Sequence, residues 1–123
     1  MKTEEQIKGK ILNSILMHYY LKSISGSGEE NIEPPNDNVL NTAYGLLIRL
    51  FEFNVFPDKI TPSIEKGLLL IFKNENQKLY IELYNDGDIG YLIEDIQLKK
   101  ILENVDINDI DKLLDRIINF VNL

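Results

Sequence analysis

Leu68-Leu-Leu-Ile-Phe72, Lys78-Leu-Tyr-Ile-Glu-Leu-Tyr84 and Ile89-Gly-Tyr-Leu-Ile93 are short apolar runs separated by the turn-forming pairs Glu75-Asn76 and Asp86-Gly87. Side chains along a strand point alternately to opposite faces, so a sheet wet on one side alternates apolar with polar residues. These runs are apolar on both faces, which predicts a three-stranded antiparallel meander over about 68–72, 78–84 and 89–94 with both sides covered. A two-residue turn at Glu75-Asn76 sets Phe72 opposite Leu79, Leu70 opposite Ile81 and Leu68 opposite Leu83. A two-residue turn at Asp86-Gly87 sets Ile81 opposite Leu92 and Leu83 opposite Gly90. The second face then collects Leu69, Ile71, Tyr80, Glu82, Tyr84, Ile89, Tyr91 and Ile93, and a one-residue slip would scramble this partition.

Helices are expected on either side of the meander, giving an α+β fold. Thr3 and Gln6 have capping-box spacing, and Ile7, Ile11, Leu12, Ile15, Leu16 and Tyr19 recur at helical intervals, predicting a helix over about 4–22. Residues 23–35, rich in Gly, Ser and Glu and ending in Pro34-Pro35, read as a flexible acidic connection. A second helix over about 37–53 is capped by Asn36 or Asp37 and buries Val39, Leu40, Ala43, Leu46, Leu47, Leu50 and Phe51. Gly45 within it costs about 1 kcal/mol relative to Ala unless it permits close packing. Pro57 and Pro62 frame a non-helical crossing into the sheet. A short helical turn is expected over about Gln97 to Glu103. A final helix follows over about 107–122, capped by Asp106, with Asp109 and Asp111 at the positive end of its dipole. Its apolar positions, Ile107, Ile110, Leu114, Ile117 and Val121, span barely two heptads and suit a helix covering a sheet face.

At 123 residues the chain reads as a single domain, large enough for a hydrophobic core. Net charge is −7 and the pI about 4.7. Two arginines, Arg49 and Arg116, and one adjacent basic pair, Lys99-Lys100, are too few for the clustered cations of a direct nucleic-acid binder. An acidic chain steers instead toward a basic partner. No apolar run approaches the ~18 residues of a membrane span. The start, Met1-Lys-Thr-Glu-Glu-Gln, lacks the apolar region of a signal peptide. The absence of cysteine fits a reducing compartment, so a cytoplasmic protein is expected.

No cofactor or metal motif is complete. From Asp86, the EF-hand pattern would place Gly90 at position 5 and Tyr91 at position 6, where an oxygen ligand and glycine are required. Ser25-Gly-Ser27-Gly is not a nucleophile elbow, and Gly9-Lys10 lacks the earlier glycine of a phosphate loop. His18, the single histidine, follows Ile11 and Ile15 along one helical face and reads as a core-edge residue. Glu82 among tyrosines is a candidate acid or base, and equally a hydrogen-bond acceptor or a partner for a lysine. Tyrosines are enriched at interfaces because a large apolar ring carries a polar tip. Tyr80, Glu82, Tyr84 and Tyr91 are therefore the candidate partner-binding residues.

The run Ile60-Thr-Pro62-Ser63-Ile-Glu65-Lys-Gly67, followed by the apolar strands and Asn85-Asp-Gly87, resembles a module of small uncharacterised bacterial proteins. In that module a Pro-Ser/Thr-x-x-Gly-Gly run precedes a strand and an Asp-Gly hairpin follows. The likeness covers about residues 57 to 93, and Lys66-Gly67 stands where Gly-Gly is usual. It implies a bacterial accessory protein of the kind found in toxin–antitoxin or defence-type loci, and carries over no catalytic residue. Together these readings lead to a non-enzymatic protein-interaction module of antitoxin, immunity or inhibitor type, binding a basic protein through an acidic, tyrosine-rich surface. The alternatives are a self-associating structural protein, with the tyrosine faces of two copies meeting, and a small enzyme or ligand binder using Glu82.

Overall fold

Asn36 serves two elements at once. Its side-chain oxygen accepts from the Val39 N–H at 2.9 Å, capping helix α1 (Asp37–Phe51). Its backbone N–H donates to Asn85 Oδ1 and its Nδ2 to the Asn85 carbonyl, both at 2.9 Å, which ties the helix start to a turn of the sheet. A computed structural model describes residues 35–63 and 67–122. The expected helix over 4–22, with His18, and most of the 23–35 connection lie outside the described residues. Helix α1 ends two residues before the expected boundary. Its last turn closes through Phe53 N–H to Leu50 O and Asn54 N–H to Phe51 O, and Asn54 takes a left-handed φ of 59°.

Among the described residues the sheet has five antiparallel strands in the order β1-β2-β3-β4-β5: β1 (Lys59–Ser63), β2 (Gly67–Asn74), β3 (Gln77–Tyr84), β4 (Ile89–Asp95) and β5 (Lys100–Ile107). The expected meander is β2-β3-β4, extended by a strand at each edge. Pro62 does not break β1, because a proline is tolerated on an edge strand, where its missing N–H need not point into a ladder. Residues 100–107 form a strand where a helical turn over 97–103 was expected. Pairing along β4 outweighs the helix-forming character of Leu98-Lys-Lys-Ile-Leu-Glu103. Ile93 faces Glu103 and Glu94 faces Ile101, leaving Leu102 as the extra residue of a bulge. Helix α2 (Ile110–Val121) therefore starts later than expected, and its cap is Asp109 rather than Asp106. Asp109 Oδ1 accepts from the N–H groups of Asp111 at 2.9 Å and Lys112 at 3.3 Å.

The first hairpin has the expected register, with Phe72 opposite Leu79, Leu70 opposite Ile81 and Leu68 opposite Leu83. The second is shifted by one residue. Ile81 faces Tyr91, Leu83 faces Ile89 and Glu82 faces Gly90. The loop holds three residues, Asn85-Asp86-Gly87, and not two. Gly87 N–H donates to Tyr84 O at 3.0 Å and Tyr84 N–H to Asp88 O at 2.9 Å, with Gly87 at φ 97°. This is the turn followed by a left-handed glycine that closes three-residue hairpins. Ile89, Tyr91 and Ile93 consequently join the Leu79-Ile81-Leu83 face, while Leu92 and Glu94 join Tyr80, Glu82 and Tyr84.

Both helices share one core with the first of these faces. Leu68, Leu70, Phe72, Leu79, Ile81 and Ile93 are buried there with Leu46, Leu47 and Leu50 of α1 and Leu113, Ile117 and Phe120 of α2. Arg49 on α1 meets Asp111 on α2 at 2.7 Å, and Asn74 Nδ2 donates to Phe120 O at 2.8 Å, fastening the end of α2 to β2. Gly67 packs closely against β3. A Cβ there would lie 2.0 Å from the Leu83 carbonyl oxygen.

Candidate functional site

β3 sends Tyr80, Glu82 and Tyr84 to the face opposite the helices because they alternate with the buried Leu79, Ile81 and Leu83. β2 adds Leu69 opposite Glu82 and Ile71 opposite Tyr80, and β4 adds Leu92 opposite Tyr80. All six side chains are half-buried. Among the described residues no helix packs on this face, which sets carboxylates among apolar side chains.

Glu82, Tyr80 and Glu94 each have a defined partner. Glu82 Oε2 accepts from the Ser63 hydroxyl on β1 at 2.9 Å, and Ser63 is buried. Tyr80 donates its hydroxyl to Glu94 Oε1 at 3.0 Å. Burial, with the Glu94 carboxylate accepting its proton, raises the Tyr80 hydroxyl above the ordinary tyrosine range. Tyr84 Cε2 lies 3.8 Å from the point a Cβ would occupy on Gly90, so the ring covers the gap that glycine leaves in β4.

Tyr91 does not belong to this group. The shifted hairpin turns it toward the core, where it is 8% exposed and its hydroxyl donates to Glu103 Oε1 at 3.2 Å. Glu103 also pairs with Arg116 on α2, whose guanidinium carbon stands 6.0 Å from the Tyr91 ring centre. The Arg116 hydrogen bond holds the Glu103 carboxyl below the usual carboxylate range, and Glu103 in turn raises Arg116. The expected four-residue patch is thus split between faces. Tyr80, Glu82 and Tyr84 share one, and Tyr91 anchors β4, β5 and α2 on the other.

Ser63, Glu94 and Leu92 are members of the open face that sequence reading did not find. Ser63 was hidden because β1 was not recognised. The one-residue hairpin shift moves Leu92 here from the opposite, expected face, and Glu94, which the expected register did not name, comes with it. Among the described residues no group of three or more His, Asp or Glu side chains is gathered as a metal centre would require, and no helix is long and apolar enough to cross a membrane. No family model, no curated protein and no solved structure matches the chain.

Proposed function

We propose that this chain is a non-enzymatic protein-interaction module of antitoxin, immunity or inhibitor type, acting in the cytoplasm on a basic protein partner. The observation that carries the reading is the sheet face on which, among the described residues, no helix packs. Leu69, Ile71, Tyr80, Tyr84 and Leu92 present half-buried apolar surface beside Glu82 and Glu94, and both described helices lie on the other side. Contiguous apolar surface ringed by polar groups marks an interaction site, and tyrosines suit such a site because they bury a large ring with little loss of rotamer freedom. A net charge of −7 supports a cationic partner through steering and through pairing with the face carboxylates. Glu82 is engaged by Ser63, which favours a positioning role in recognition over acid–base chemistry.

The test is capture from the native host's lysate at low and high salt, by the wild-type chain and by Leu92→Lys. A single stoichiometric basic protein, released by salt and lost with Leu92→Lys, supports the reading. A lysate that yields the bait alone, or a partner held equally by the variant, contradicts it.

A further inference from the structure

The face that carries Tyr80 and Tyr84 also carries lysines. Lys59 stands opposite Ile71, Ile71 opposite Tyr80, and Lys73 opposite Lys78. Paired residues share a face, and alternate residues along a strand return to it, so all three lysines flank the Ile71–Tyr80 pair. Like charges set directly across a ladder are unfavourable, and no ion pair offsets them. Among the described residues the ion pairs are Arg49 with Asp111 and Arg116 with Glu103, both on the helix side of the sheet. Two carboxylates beside the lysines hold other groups. Glu94 stands opposite Lys78 but accepts the Tyr80 hydroxyl, and Asp58 Oδ2 accepts from the Lys73 backbone N–H at 2.7 Å.

These positions fix what a partner must bring. A surface that covers Ile71 and Tyr80 also covers or rims three cationic side chains, and taking charge out of water without compensation is costly. A uniformly basic surface would add repulsion to that cost. Glu82 and Glu94 make the opposite demand and favour a cation. The two demands are separated across the sheet, with the lysines on β1, β2 and the start of β3, and the carboxylates further along β3 and on β4. We propose that the partner's contact segment is dipolar, with a carboxylate over Lys59, Lys73 and Lys78 and a cation over Glu82 and Glu94. Steering by the net charge of −7 still selects a protein that is basic as a whole, and the lysine corner selects which segment of it docks. This inference rests on the partner reading above and adds the charge pattern of the contact.

The experiment is titration calorimetry of the basic protein captured from the host lysate against the full chain as wild type, Lys73→Glu and Lys112→Glu. Lys112 is exposed in the first turn of α2, on the other side of the sheet, where glutamate suits the helix dipole. The two variants change the net charge equally, so long-range steering shifts both alike and position alone separates them. Lys73→Glu also sets opposite charges across the ladder from Lys78, which keeps β2 and β3 paired. The expected result is that Lys73→Glu binds about tenfold more weakly than Lys112→Glu. Lys59→Glu repeats the test at a separate position, with the same direction expected. Reversed lysines that bind as well as Lys112→Glu, or more tightly as a uniformly basic contact requires, overturn the dipolar contact and leave the partner reading standing. A lysate that yields no partner overturns both.

Discussion

Tyr91 stands opposite Ile81 across the β3–β4 ladder, so its ring is part of the core beneath α2 and its hydroxyl is held by Glu103. Truncating this ring removes core volume and a hydrogen bond together. Tyr91→Ala is expected to cost about 3–5 kcal/mol, and Tyr91→Phe only about 0.5–1.5 kcal/mol. Urea denaturation of the two variants measures both, and a Tyr91→Ala domain as stable as wild type would show that the ring is not in the core.

Two glycines should respond in opposite directions to the same change. Gly45 on α1 is exposed, and a Cβ there meets nothing within 4 Å. Gly45→Ala is therefore expected to stabilise by about 0.5–1 kcal/mol through helix propensity and a less flexible unfolded chain. Gly67→Ala would drive its Cβ into the Leu83 carbonyl, and a loss of at least about 2 kcal/mol is expected. Melting temperatures ordered otherwise would contradict the placement of these strands.

Asn36 carries the α1 cap and both bonds to Asn85. Asn36→Ala should cost about 1–2 kcal/mol, whereas Asn36→Asp keeps the cap oxygen and loses the amide donor to the Asn85 carbonyl. An intermediate loss is expected for Asp. Equal stability of the Ala and Asp variants in a denaturant series would show that the cap contributes nothing.

The pH dependence has two limbs with opposite signs. Glu103 is lowered in the folded state, so its contribution is present above its unfolded pKa and is lost as pH falls through the folded value. The pair is partly exposed, which keeps this contribution below about 1 kcal/mol, and Glu103→Gln should flatten the acid limb. Tyr80 is raised, so its contribution is complete below the unfolded tyrosine pKa and is lost as pH rises toward the folded one. Tyr80→Phe should remove that alkaline loss in thermal melts followed across the pH range. A tyrosine absorbance titration that is identical in wild type and Tyr80→Phe, apart from amplitude, would show that Tyr80 is not raised.

The sequence made β2-β3 legible down to its register because a two-residue turn and alternating burial both require it. β3-β4 was not, for a physical reason. Asp86-Gly87 serves a two-residue loop or the end of a three-residue one, and Ile89-Gly-Tyr-Leu-Ile93 is apolar on both faces, so no polar residue penalises the slip. β1 was obscured by Pro62, and β5 by a helix-forming composition that only pairing with β4 overrides. The Tyr80-Glu82-Tyr84 grouping was readable because all three alternate on one strand. Their partners Ser63 and Glu94 come from neighbouring strands, where a register error changes the face.

In the proposed complex the Tyr80-Glu82-Tyr84 face of the sheet, and not its core side or its edge, meets the basic protein. The most direct measurement is titration calorimetry of the captured partner against wild type, Leu92→Lys and Val105→Lys, each first shown to be folded. Leu92→Lys is expected to weaken binding by about tenfold or more, by putting a cation into the contact, while Val105→Lys on the β5 edge leaves it within about twofold. Equal affinity for wild type and Leu92→Lys would contradict the claim.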